Sequence, residues 1–174
     1  MPFARLGGHG TIRSMTSAFT SVAPPRDGRQ SDTALAIQRG VGRMLRATGF
    51  HMVTELGLAS GRRADIVALG GDGEIVIVEI KSSVEDFRVD RKWPQYREHC
   101  DRLFFATHPE VPTAIFPEDA GLILADGYGA AVIREAPEHR LAAATRKAML
   151  MRFAQAAAGR LHSLIDPEAG DGFL

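Results

Sequence analysis

Asp65, Glu79 and Lys81 are the residues whose types and spacing could do chemistry together. Glu79 and Lys81 stand two positions apart at the end of EIVIVEIK, Glu74 to Lys81, a short β-branched run that reads as the strongest strand of the chain. Strand alternation puts Ile75, Ile77, Glu79 and Lys81 on one face and Val76, Val78 and Ile80 on the other. Both faces are apolar until the strand ends, the pattern of a central strand covered on both sides. The turn-forming run Gly70-Gly71-Asp72-Gly73 joins it to a preceding strand, Ala64–Leu69. Closing Leu69 against Ile75 sets Asp65 opposite Glu79, with Cβ atoms about 5 Å apart.

Two carboxylates brought together in this way repel, and one must hold a proton unless a cation intervenes. A divalent metal removes the difficulty, because hard oxygen donors are what magnesium binds. Lys81, on the same face as Glu79, can meet a phosphate or an attacking water. That is the equipment for metal-assisted phosphodiester hydrolysis. The plainer account is a solvated ion pair, worth 0–1 kcal/mol. The apolar hairpin around the three residues is what lifts the chemical reading above it.

The elements that must position this cluster can be read on either side of it. Ser31 or Asp32 can cap a helix, and Ala34, Ile37, Val41, Met44, Leu45 and Thr48 recur on one helical face. Gly49 supplies the stop. A strand is expected at His51–Leu56, with a turn through Gly61. After Lys81 the sequence predicts a helix near Pro94–Cys100 and a buried strand, Leu103–Thr107 (LFFAT). Gly121–Ala125 and Ala130–Arg134 read as a late hairpin, and an Ala-rich helix should run from about Arg140 to Ile165. This order indicates an α/β domain with a central sheet.

Composition bounds the function. Equal numbers of basic and acidic side chains, 21 of each, exclude a protein held on nucleic acid by net charge alone. Cys100 is the one cysteine, so no internal disulfide forms, and the scattered histidines show no zinc-ligand spacing. No apolar run reaches the roughly 18 residues that span a bilayer. A cytoplasmic protein with no membrane partner is expected. Residues 1–31, with Arg5, Arg13, Arg26 and Arg29 against Asp27, read as a flexible basic tail, 32–165 as the domain and 166–174 as a flexible end.

Arg63-Ala64-Asp65 followed by Glu79-Ile80-Lys81-Ser82-Ser83 resembles the PD-(D/E)XK nuclease superfamily. Through GRRADIVAL, VIVEIKSS and DRKWPQYREHCDRLFFAT, the stretch from Ser31 to about Ile165 also resembles the MmcB-type DNA-repair proteins of bacteria. The resemblance implies a restriction-endonuclease-like core: helix, three-strand antiparallel meander, helix and strand, here with a late β-hairpin and a long C-terminal helix. It implies Mg2+ or Mn2+ held by Asp65, Glu79 and the Ile80 carbonyl, with Lys81 positioning water. It also implies DNA as partner, with other repair proteins as further partners, and a nucleoid-associated location. Ala64 replaces the usual proline of the motif. Many members carry an acid in the first helix, and Thr33–Thr48 contains none, which leaves Glu55 as the accessory acid.

Related nucleases place DNA contacts where Trp93, Gln95 and Tyr96 fall, although the two aromatics could equally be core. Ser82 and Ser83 could donate to a phosphate or merely end the strand. Arg140, Arg146, Lys147, Arg152 and Arg160 lie in the terminal helix with no acid among them, which suggests a phosphate-tracking face or a solvated one. Arg88, Arg91, Lys92, Arg97 and Arg102, interleaved with acids, read as ordinary surface. The leading expectation is a metal-dependent DNA nuclease of repair. A non-catalytic DNA- or protein-binding module on the same fold competes with it, as does a nuclease acting on RNA.

Overall fold

The computed structural model describes residues 31–90 and 92–168. The expected N-terminal tail, Ser31 apart, therefore lies outside the described residues, as do Arg91 and the end of the chain from 169. The first helix, α1 (Asp32–Ala47), begins where the Ser31 hydroxyl accepts the Ala34 N–H at 3.1 Å. Asp32 in its first turn and Arg46 in its last suit the helix dipole. Gly40 sits where a Cβ would fall 2.2 Å from the Asp126 carbonyl oxygen and 2.4 Å from that of Gly129. Only glycine lets the helix lie this close to the loop that follows the fifth strand.

Six strands form one sheet in sequential order: β1 (His51–Gly57), β2 (Arg63–Leu69), β3 (Ile75–Ile80), β4 (Arg102–Thr107), β5 (Gly121–Ala125) and β6 (Ala130–Arg134). The antiparallel meander expected from sequence holds for β1–β3. The sheet as a whole is mixed, because β4 runs parallel to β3 and β5 parallel to β4 before β6 turns back. Parallel neighbours need covered crossovers, and two elements supply the first of them. These are α2 (Val84–Val89) and a 3-10 segment, Trp93–His99.

The helix expected near Pro94–Cys100 is thus a 3-10 winding. Trp93, Tyr96 and His99 recur every three residues, the 3-10 period, and Tyr96 and His99 are buried while Trp93 packs edge-on to Phe105. The preceding α2 was not anticipated. Its signal was Ser83-Val84-Glu85-Asp86, in which the Ser83 hydroxyl caps the Asp86 N–H and Asp86 accepts from the Ser82 N–H.

Two apolar layers sandwich the sheet. On one face Ile37, Val41 and Leu45 of α1 pack on Ile66, Val76, Val78 and Ile123. On the other, Met149 and Phe153 of α3 (Ala143–Ile165) join Tyr96 and Cys100 over Val67, Ile75, Ile77 and Leu103. Cys100 is buried, its thiol donating to the Tyr96 carbonyl. No helix among the described residues is long and apolar enough to cross a membrane.

Candidate active site

The β2–β3 hairpin closes in the expected register, with Leu69 opposite Ile75 and Ile66 opposite Val78. The next step brings Asp65 beside Glu79. Each carboxylate is clamped by the other strand's backbone: Asp65 Oδ2 accepts the Ile80 N–H at 2.8 Å, and Glu79 Oε1 accepts the Asp65 N–H at 3.2 Å. Burial pushes the Asp65 carboxyl up to about 6, against the opposing pull of the Ile80 N–H and Lys81. Burial and then the Asp65 charge raise Glu79 as well. Glu79 is 3% exposed. Neither acid has enough positive charge nearby to offset its desolvation.

Lys81 is equally enclosed, at 5% exposure. Its backbone is fixed to β4 by the Ala106 carbonyl and the Thr107 hydroxyl. Its ammonium donates to Asp90 Oδ2 at 2.6 Å. Burial alone would lower the lysine. The hydrogen bond and charge of Asp90, then the charges of Glu79 and Asp86, hold it above its ordinary value. Asp90 closes α2, and its other oxygen accepts the Lys92 N–H. Asp86 and Asp90, read from sequence as ordinary surface, are therefore part of the cluster. The i, i+4 spacing of two acids directly after the strand was the signal for them.

Glu55 falls between two paired positions, Thr54 opposite Ile66 and Leu56 opposite Ala64, and so in the cross-strand row of Asp65. Its φ of 52° lies in the left-handed region, where a non-glycine residue is uncommon. Its carboxylate pairs with Arg63, and its charge contributes to raising Asp65. Glu55 thus borders the site. Tyr96 is buried, with its hydroxyl donating to the Arg63 carbonyl at 3.3 Å. Burial and the charges of Glu79, Asp90 and Asp65 push that hydroxyl well above its usual range.

Other candidates are placed elsewhere. Gln95 is exposed and accepts from Arg62 at 2.7 Å. Trp93 packs against Phe105 under the Arg97 guanidinium, a core role. The Ser82 N–H and hydroxyl are both held by Asp86. In the terminal helix, three of the basic side chains are tied to the chain itself. Arg146 grips Asp101 through both terminal nitrogens at 2.7 Å, and Arg152 and Arg160 donate to the backbone of Gly57 and Thr54. Among the described residues only Arg146 of this set is paired with a carboxylate; Arg140, Lys147, Arg152 and Arg160 are exposed.

Among the described residues no group of three or more His, Cys, Asp or Glu side chains is arranged to hold a metal. The converging pair nevertheless suits a hard divalent ion, which binds through one or two carboxylates and takes its other oxygens from water and phosphate. Both carboxyls are held above their ordinary range, first by burial, and a cation between them would offset that.

A family model for DNA repair proteins of the MmcB-like type matches residues 21–168. The chain belongs to the MmcB-like DNA repair protein family. No curated protein matches it. A solved structure from Silicibacter pomeroyi, described as a protein of unknown function, is 45% identical with a TM-score of 0.79. The match covers 83% of this chain and 99% of that one. In this MmcB-like protein the matched region spans every strand and helix described above, the carboxylate pair and Lys81 included.

Proposed function

We propose that this MmcB-like protein is a metal-dependent phosphodiesterase that acts on DNA during repair, on a restriction-endonuclease-like core. The observation that carries the reading is the meeting of Asp65 and Glu79 across the hairpin with Lys81 buried beside them. Asp65 and Glu79, with the Ile80 carbonyl, would hold Mg2+ or Mn2+. When bound, such an ion polarises a phosphoryl oxygen and acidifies a water. The chain's own contribution is positional. The two backbone N–H groups aim the carboxylates, and the walls around Lys81 keep bulk water from screening it. An ammonium has three donors, so Lys81 can keep its bond to Asp90 while offering the others to a phosphate or the attacking water.

The second reading is a DNA- or protein-binding repair module without catalysis. One observation favours it: Asp90 already neutralises Lys81 at 2.6 Å, so the lysine has a structural partner without any substrate. Cleavage assays in Mg2+ and Mn2+ on single-stranded, duplex, abasic and branched DNA, with an RNA arm, separate the two. The nuclease reading requires metal-dependent cleavage that falls by roughly 100-fold or more in Lys81→Ala, the loss of about 2.7 kcal/mol of transition-state stabilisation, with most DNA affinity retained. Full cleavage in that variant, or binding with no cleavage in the wild type, puts the binding module ahead.

A further inference from the structure

Helix α3 is apolar on two sides, and among the described residues the sheet covers only one. Met149, Phe153 and Ala156 pack inward, flanked by the arginines already tied to backbone. Facing away are Met151 (54% exposed), Ala154, Ala158, Leu161 (53%) and Ile165 (72%). Their steps of three, four, three and four residues make a heptad seam, the pattern with which one helix packs along another.

Charge identifies what lies against the seam. Gln155, Ala157, His162 and Leu164 border it, so it carries no flanking carboxylate, lysine or arginine along these turns. Such a seam has nothing with which to grip nucleic acid, and a second copy meets no like-charge penalty there. Lys147 continues the seam one step toward the helix start and is exposed. A parallel pair would set Lys147 against its own copy. An antiparallel pair sets Ala154 opposite Ala158, Met151 opposite Leu161 and Lys147 opposite Ile165. Lys147 then reaches the end of the other helix, where the last carbonyls carry partial negative charge and exposed Asp166 and Glu168 follow. The alanines at the centre let the axes approach closely. The contact is isologous and closes on itself, over about 27 Å of helix.

We propose that two copies of this chain pair antiparallel through the outward seam of α3. The test is sedimentation equilibrium of the full chain over a concentration series. The expected result is a reversible doubling of mass, with a dissociation constant at least about tenfold weaker in Leu161→Glu, which puts charge into the seam. Leu161 is half exposed, so the variant should keep the wild-type circular dichroism and unfolding midpoint of the monomer. Lys147→Glu should weaken pairing, and adding Asp166→Lys should restore it. Under mild oxidation a mixture of Ala154→Cys and Ala158→Cys chains should cross-link, while Ala158→Cys alone should not, because disulfides demand close Cβ atoms. The native Cys100 is buried and does not interfere. A single-chain mass at every concentration overturns the proposal. Cross-linking of Ala158→Cys alone, or no effect of Lys147→Glu, overturns the antiparallel arrangement.

Discussion

At the start of β3, Asp101 collects the Ile75 N–H at 2.8 Å, the Leu141 N–H at 3.0 Å and both terminal nitrogens of Arg146. At the other end of the same strand, Glu79 and Asp65 share backbone donors and one lysine that is already bonded to a third acid. All three carboxylates are desolvated, yet they respond in opposite directions. For Asp101, burial is outweighed by Arg146 and the two N–H groups, and its carboxyl is held below the ordinary range. For Asp65 and Glu79, burial wins. A carboxylate that only holds a fold together is saturated with donors. One kept short of them has capacity left for a cation, and this difference separates scaffold from candidate chemistry within one strand.

The largest effect should come from breaking the saturated end. Asp101→Ala leaves the Arg146 guanidinium and two N–H groups without their acceptor, and losing one partner of a buried pair costs about 3–5 kcal/mol. Urea unfolding measures this directly, and a loss under about 1 kcal/mol would deny Asp101 its place as the clamp between α3 and β3. Arg146→Lys is a gentler break. It keeps the charge but not the two-pronged geometry, so a loss of about 1–2 kcal/mol is expected, with the salt dependence of DNA binding unchanged. A shallower salt slope in that variant would return Arg146 to the phosphate contacts.

Much of this was legible in the sequence. The EIVIVEIK run and the glycine turn before it dictated the hairpin register, and the register dictated that Asp65 meets Glu79. The inward face of α1 and the late hairpin were equally plain. What the sequence could not display were long-range ties. Arg146 lies 45 residues from Asp101, and nothing local distinguishes it from a solvated arginine. Asp90 looked like surface because its partner, Lys81, is reached only after α2 folds back, and α2 has just six residues, too few for periodicity to show. The left-handed φ of Glu55 belongs to the same class, since it follows from the pairing of β1 rather than from residue type.

Relieving the unsaturated end should have the opposite sign. Asp65→Asn keeps an oxygen for the Ile80 N–H while removing a buried charge, so the protein without metal should gain on the order of 1 kcal/mol at neutral pH. The same variant should lose the rise in melting temperature that Mg2+ or Mn2+ gives the wild type by binding the native state alone. Stabilisation together with loss of the metal response is the signature of a site held at a cost to folding. A wild type whose melting temperature ignores both metals would leave the carboxylate pair without its proposed ion.

The smallest effect, and the sharpest contrast, lies in pH. The Asp65 carboxyl sits at about 6 in the fold against an ordinary 3.8. Between those values the folded chain holds a proton the unfolded chain has released, so stability falls as pH rises through the window. The advantage of Asp65→Asn should therefore be full above about pH 6 and fade toward zero near pH 4. Asp101 runs the other way: its folded value is depressed, so what it contributes is present above the ordinary carboxylate range and is lost as pH falls below it. Urea unfolding of wild type, Asp65→Asn and Asp101→Asn at about pH 7.5 and about pH 4.5 reads both slopes in one series. The gap between wild type and Asp65→Asn should narrow on acidification, while Asp101→Asn should stay well below wild type at both values. A gain in Asp65→Asn that is the same at both pH values would mean the Asp65 carboxyl is no different from one in water, and the contrast between the two ends of β3 would vanish.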